Sequence, residues 1–117
     1  MPEFIHDKKV YYHPVEFLMD RIGGTWKMPI LWRLKDKVLR YSELKKNIPH
    51  ITDNMLSINL KQLETFGFIK RKAYPEIPPR VEYSITDKGL TVIPIIKTLI
   101  DCGLDLMERE GVEHKKN

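Results

Sequence analysis

Apolar side chains recur at helical spacing through the first half of the chain, give way to strand-like runs near residue 70, and then return to a helical period. "HPVEFLMDRIGG" places Val15, Leu18 and Ile22 on one face, with Pro14 in the first turn and Gly23 and Gly24 as the stop. "TWKMPILWRLKDK" predicts a second helix with Thr25 as N-cap, Ile30, Leu31 and Leu34 as its buried stripe, and Pro29 costing about one backbone bond. In "LRYSELKKNIP", Ser42 is the expected cap of a short third helix carrying Leu44 and Ile48 and ended by Pro49. "HITDNMLSINLKQLETFGF" gives a fourth, capped by Thr52, backed by Leu56, Leu60 and Leu63, and closed at Gly67.

"FIKRKAY" and "RVEYSIT" are β-branched and aromatic runs of strand length, joined by the stiff loop "PEIPP". "TDKGLTVIPIIKTLIDCGLDLMERE" then reads as a helix bent or restarted near Pro94, about 24 residues and roughly 36 Å if continuous. It carries two apolar stripes: Ile93, Ile96, Ile100 and Met107 on one side, Val92, Ile95, Leu99 and Leu106 on the other. One stripe is expected to meet the chain's own core and the other a second subunit. The dimerisation residues expected are Ile95, Leu99, Cys102 and Leu106.

Helices followed by two strands around a stiff loop is the order of a winged helix-turn-helix. The fold class expected is therefore α+β, mainly helical, with a two-stranded wing and a long C-terminal dimerisation helix. Residues 1–12 read as an N-terminal arm, 13–110 as the domain and 111–117 as a polar tail. In such a domain the fourth helix enters the major groove and the wing reaches the adjacent backbone or minor groove. With the leucines inward, Asn54, Ser57, Ile58, Lys61 and Gln62 face outward. Asn and Gln suit adenine edges, and Ile58 suits a thymine methyl. Pro78 and Pro79 restrict the loop that presents Arg80, with Lys70, Arg71 and Lys72 adding charge nearby; Arg80 and Lys72 are the expected wing contacts. Lys27, Arg40 and Ser42, beside Tyr41, are expected near phosphate, with plain capping the competing reading of Ser42.

Charge fits a polyanionic partner without requiring one. The 117 residues hold 20 Lys and Arg against 16 Asp and Glu, a formal net charge of +4. No run approaches the roughly 20 apolar residues of a membrane span, and the start lacks a signal-peptide hydrophobic stretch, so a cytoplasmic protein is expected. The single cysteine, Cys102, permits no internal disulfide. Walker, HExxH, GxSxG and Rossmann patterns are all lacking, so neither catalytic residues nor cofactors are expected. His6, His13, His50 and His114 are too scattered for a metal site. Trp26 and Trp32 read as core, or alternatively as the lining of an effector pocket between subunits.

The succession "HPVEFLMDRIGGTWKMPILWRL", "RYSELKKNIPHITDNMLSINLKQLETFGFIKR" and "YPEIPPRVEYSITDKG" resembles the HxlR family of bacterial winged-helix transcriptional regulators over about residues 13 to 108. The resemblance implies a homodimer, joined mainly by the final helix and N-terminal segment, that binds a pseudo-palindromic operator in double-stranded DNA. It also places Thr52 through Gln62 on the recognition helix and Arg80 on the wing. Many members have cysteine immediately before "PVE", where some sense electrophiles or oxidants; this chain has His13. An imidazole does not replace a thiolate in that chemistry. Cys102 is the remaining candidate thiol, with burial in the last helix its expected state. Two functional classes follow, a dimeric DNA-binding regulator and a winged-helix module that meets an acidic protein; salt-sensitive DNA binding separates them.

Overall fold

The computed structural model describes residues 3–113, so His114 lies outside the described residues. Strands β1 (Phe4–His6) and β2 (Lys9–Tyr11) form a hairpin within the expected arm, Phe4 opposite Tyr11. Its two-residue turn holds Asp7 and Lys8 at φ 48° and 66°, the backbone that matches strand twist in tight hairpins. The hairpin docks on helix α1 (Pro14–Ile22) through aromatic rings: Phe4 stacks on Tyr11, and both meet Phe17. Polar contacts finish the strap, with Tyr11 Oη donating to Asp20 at 2.6 Å and Lys9 Nζ at 2.8 Å. His13 occupies the N-cap of α1, where its Nδ1 accepts the Val15 N–H at 3.2 Å.

Helix α2 (Lys27–Leu34) buries Ile30, Leu31 and Leu34 as its pattern predicts. Its N-cap is Trp26 rather than Thr25. Starting there puts Pro29 inside the first turn, whose N–H groups have no intrahelical partner in any case, so the proline costs no bond. Strand β3 (Leu39–Arg40) leads directly into α3 (Tyr41–Asn47). Ser42 is a first-turn residue and not the cap; Arg40 holds that position, and its N–H donates to Glu43 Oε1 at 2.8 Å. Glu43 thus reaches back as a capping-box residue does.

Helix α4 (Asp53–Thr65) starts where Thr52 Oγ1 accepts the Met55 N–H at 3.1 Å. It ends before Gly67, which takes φ 82°. Strands β4 (Ile69–Tyr74) and β5 (Arg80–Ile85) form the expected antiparallel wing, and β3 adds a third strand on the far side of β5. Two residues show no period, which is why β3 escaped the sequence reading. The chain ends in a short α5 (Asp87–Leu90) and a long α6 (Ile93–Arg109), the helix restarting just before Pro94.

One core joins these elements. Leu56, Leu60 and Leu63 of α4 meet residues from α2, α3, β4 and β5 there. Each such side chain contributes about 1.5–3 kcal/mol by leaving water. Only the first turn of α6 shares this core, through Val92, Ile93 and Ile96. Ile100, expected on the core side, is exposed, and so are Ile95, Leu99, Leu104 and Leu106.

Candidate nucleic-acid interface

The sorting of α4 into two faces follows from its 3.6-residue period. With the leucines inward, Asn54, Ser57, Ile58, Lys61 and Gln62 are all exposed, alongside the capping Thr52. The period also turns Asn59 inward, a residue the sequence reading passed over. It is the one buried polar residue among the described residues, at 8% exposure. Its Nδ2 donates to the Met55 carbonyl at 2.8 Å, and its Oδ1 accepts Lys27 Nζ at 3.2 Å. Lys27 therefore belongs to the α2–α4 packing and does not join Arg40 and Ser42. Partial burial pushes its ammonium pKa below the ordinary lysine value.

At the start of α4, Tyr41 ties α3 to the recognition helix. Its Oη lies 3.1 Å from the Asp53 carbonyl oxygen, 3.2 Å from the Asp53 carboxylate and 3.3 Å from Ser57 Oγ. Lys45 Nζ sits 3.2 Å from the same carboxylate. The hydrogen bond from Lys45, then that from Tyr41, hold the Asp53 carboxyl below its usual range. Arg40 and Ser42, at the start of α3, line one cleft of about 270 Å³ with Tyr41, Pro79 and Arg80. Two groups predicted from separate motifs, the α3 start and the wing arginine, thus meet.

Strand alternation divides the wing's charges between two faces. Ile69 and Tyr83 are buried, so Ile69, Arg71 and Ala73 with their partners Ile85, Tyr83 and Val81 form the face toward the core and α4. Lys70, Lys72 and Tyr74 lie on the other face with Ser84, Glu82 and Arg80. There the Arg80 guanidinium stacks 3.9 Å from the Tyr74 ring centroid, and Lys72 Nζ lies 4.9 Å from that ring. Arg80 Nε is 3.3 Å from Glu76 and 3.9 Å from Glu82, close enough for ion pairing yet not aligned for a hydrogen bond. The sequence predicts an Arg80 presented by the proline-restricted loop; its side chain instead folds back along the hairpin. Ile77 occupies the fully exposed loop instead.

Of the expected dimerisation residues, Ile95, Leu99, Cys102 and Leu106 are all exposed on α6, Cys102 against the expectation of burial. Trp26 and Trp32 both pack against the core, and Trp32 also borders an apolar groove of about 320 Å³ between α2 and α6.

A trihelical core with the turn between α3 and α4, a recognition helix polar on its outer side, and a β-hairpin flanking it define a winged helix-turn-helix. Residues 21–111 match the model of the HxlR-like helix-turn-helix family. The chain belongs to that family. It is 50% identical over 93 residues to a protein of Methanothermobacter thermautotrophicus named only as an HTH-type transcriptional regulator, spanning 80% of this chain and 71% of the relative. A second HTH-type transcriptional regulator, from Halalkalibacterium halodurans, is 45% identical over 98 residues, 83% of this chain and 87% of that one. Among solved structures, the redox regulator HypR in its oxidised form superposes with a TM-score of 0.75 at 39% identity, over 80% of this chain and 96% of HypR. No helix among the described residues is long and apolar enough to cross a membrane.

Proposed function

We propose that this chain is a sequence-specific DNA-binding transcriptional regulator of the cytoplasm that acts as a homodimer on a pseudo-palindromic operator. The observation that carries the reading is the outer side of α4: Asn54, Ser57, Ile58, Lys61 and Gln62 stand free of the core on a helix clamped from behind by three leucines. Asn54 and Gln62 read base edges, Ile58 meets a thymine methyl, and Thr52 sits at the helix start near the backbone. Arg40 and Ser42 meet phosphate where α3 begins, while Lys72 keeps the wing in shape on its outer face and Arg80 comes near the flanking backbone.

Apolar residues on α6 support the dimer. Beyond Ile96 the helix leaves its own core with Leu99 and Leu106 uncovered, as a helix does when another subunit completes it. A two-fold dimer sets its recognition helices one helical turn apart, about 34–36 Å. Thiol sensing at the start of α1 is replaced here by capping, since His13 binds the Val15 N–H. Any thiol-based response falls to Cys102, the chain's only cysteine.

Fluorescence anisotropy of the protein on genomic DNA fragments, titrated with salt, tests this function. Tight binding to a subset of fragments that weakens steeply with salt is expected. Binding to no fragment, with retention on an acidic protein surface, would favour the interaction-module reading.

A further inference from the structure

The wing-side edge of α4 carries Ser57, Lys61 and Glu64, successive positions three or four residues apart. Across from it, on the inner face of the hairpin, stand Arg71 and its cross-strand partner Tyr83. These five residues line one open notch of about 270 Å³. Its lining holds two cations against one carboxylate. Lys61 and Arg71 are both exposed, and neither forms an ion pair among the described residues. The outer face differs: Lys72 and Arg80 are drawn onto Tyr74, and Arg80 is further engaged by Glu76 and Glu82.

Resting on the DNA-binding reading, we infer that this notch seats a backbone phosphodiester of the DNA duplex, held by Lys61 and Arg71, and that Arg71 is the cation of β4 that contacts DNA. A recognition helix in the major groove runs between two phosphate backbones, and the backbone on its wing side passes where α4 faces β4. A guanidinium fixed on a strand presents the planar donor pair that phosphate oxygens accept, while Lys61 adds a point charge. Ser57 Oγ, 3.3 Å from Tyr41 Oη, supplies a neutral hydroxyl at the same edge. Lys61 thereby contacts backbone and carries affinity, leaving Asn54, Ile58 and Gln62 to carry sequence discrimination.

Because a phosphate contact is blind to sequence, the test needs no operator: anisotropy titrations on a mixed-sequence duplex over a range of salt suffice. Arg71→Ala is expected to weaken binding on the order of tenfold at 0.1 M salt and to lower the slope of log affinity against log salt by about 0.9 per protomer. Arg71→Lys should restore most of the slope, Glu64→Gln should tighten binding, and Lys72→Ala should move either quantity much less than Arg71→Ala. Lys61→Ala should reduce affinity by the same factor for every sequence. Wild-type binding with a normal salt slope that Arg71→Ala leaves intact overturns the notch while sparing the DNA-binding reading, as does an equal effect of Lys72→Ala. A wild-type protein that ignores the duplex but binds polyglutamate overturns both. Unchanged thermal unfolding of Arg71→Ala, expected for an exposed side chain, ties the loss to the contact.

Discussion

Lys27 Nζ donates to Asn59 Oδ1 at 3.2 Å, joining the first turn of α2 to the middle of the recognition helix. The amide passes the connection on, because its Nδ2 donates to the Met55 carbonyl. Replacing Asn59 with Ala leaves a partly desolvated ammonium without its acceptor. A loss of about 1–3 kcal/mol is expected in urea unfolding. An unchanged midpoint would show that solvent satisfies Lys27 equally well.

Arg80 and Tyr74 form the corresponding brace on the wing. Arg80→Ala removes the stacked plate and leaves Glu76 and Glu82 without their cation. DNA affinity is expected to fall by about 1–3 kcal/mol at moderate salt. Tyr74→Ala should act in the same direction, because the aromatic platform holds the guanidinium. Equal affinities of wild type and both variants would remove the Arg80–Tyr74 brace from recognition.

Asp20 fastens the N-terminal hairpin to α1. Its hydrogen bonds from Lys9, then from Tyr11, hold its carboxyl below the usual aspartate value. A group with a depressed folded pKa contributes stability that is present above its unfolded pKa, near 3.8, and lost as pH falls through the folded value. Asp20→Asn should therefore be less stable than wild type at pH 7, and the gap should close on acidification below pH 3.8. A gap constant down to strong acid would contradict this.

Gly89 leaves no room for a side chain. A Cβ there would stand 2.2 Å from the Phe68 carbonyl oxygen and 2.6 Å from Ile85 Cγ1. Thr86 fixes the same corner, donating to the Gly67 carbonyl and accepting the Gly89 N–H at 3.1 Å. Gly89→Ala is expected to cost about 1–3 kcal/mol by overpacking. Differential scanning calorimetry would register it as a lowered Tm; retention of the wild-type Tm would mean that α5 shifts freely.

Leu99 and Leu106 are exposed on α6 in the protomer. Charge at both positions should prevent subunit association while leaving the protomer core, which neither residue enters, intact. Leu99→Glu combined with Leu106→Glu is expected to halve the mass in sedimentation and abolish operator-strength binding, with unchanged far-ultraviolet circular dichroism. A wild-type protein that sediments as a monomer refutes the dimer directly.

Much of this fold was legible because its helices state their period plainly. Leu56, Leu60 and Leu63 fixed the facing of α4, and Thr52 with Gly67 marked its ends. What escaped was set by tertiary partners. The β1–β2 hairpin depends on rings from Phe17 and a carboxylate from Asp20, both beyond the arm itself. Asn59 looked like one polar residue among several, although its place between Leu56 and Leu60 on the inward arc signalled burial. The wing strands were found, but not their facing: "KRK" reads as one basic run, and only the buried neighbours Ile69 and Tyr83 show that Arg71 turns one way and its two flanking lysines the other.

Anchorage of α6 by its first turn alone makes it a cantilever. Its 17 residues extend about 25 Å. A ten-degree tilt at the root displaces the free end by about 4 Å, more than the rise of one base pair. Small repacking around Ile96 is thus amplified geometrically, and in the proposed dimer the gap between the two reading heads would be tuned from a handful of side chains at that root.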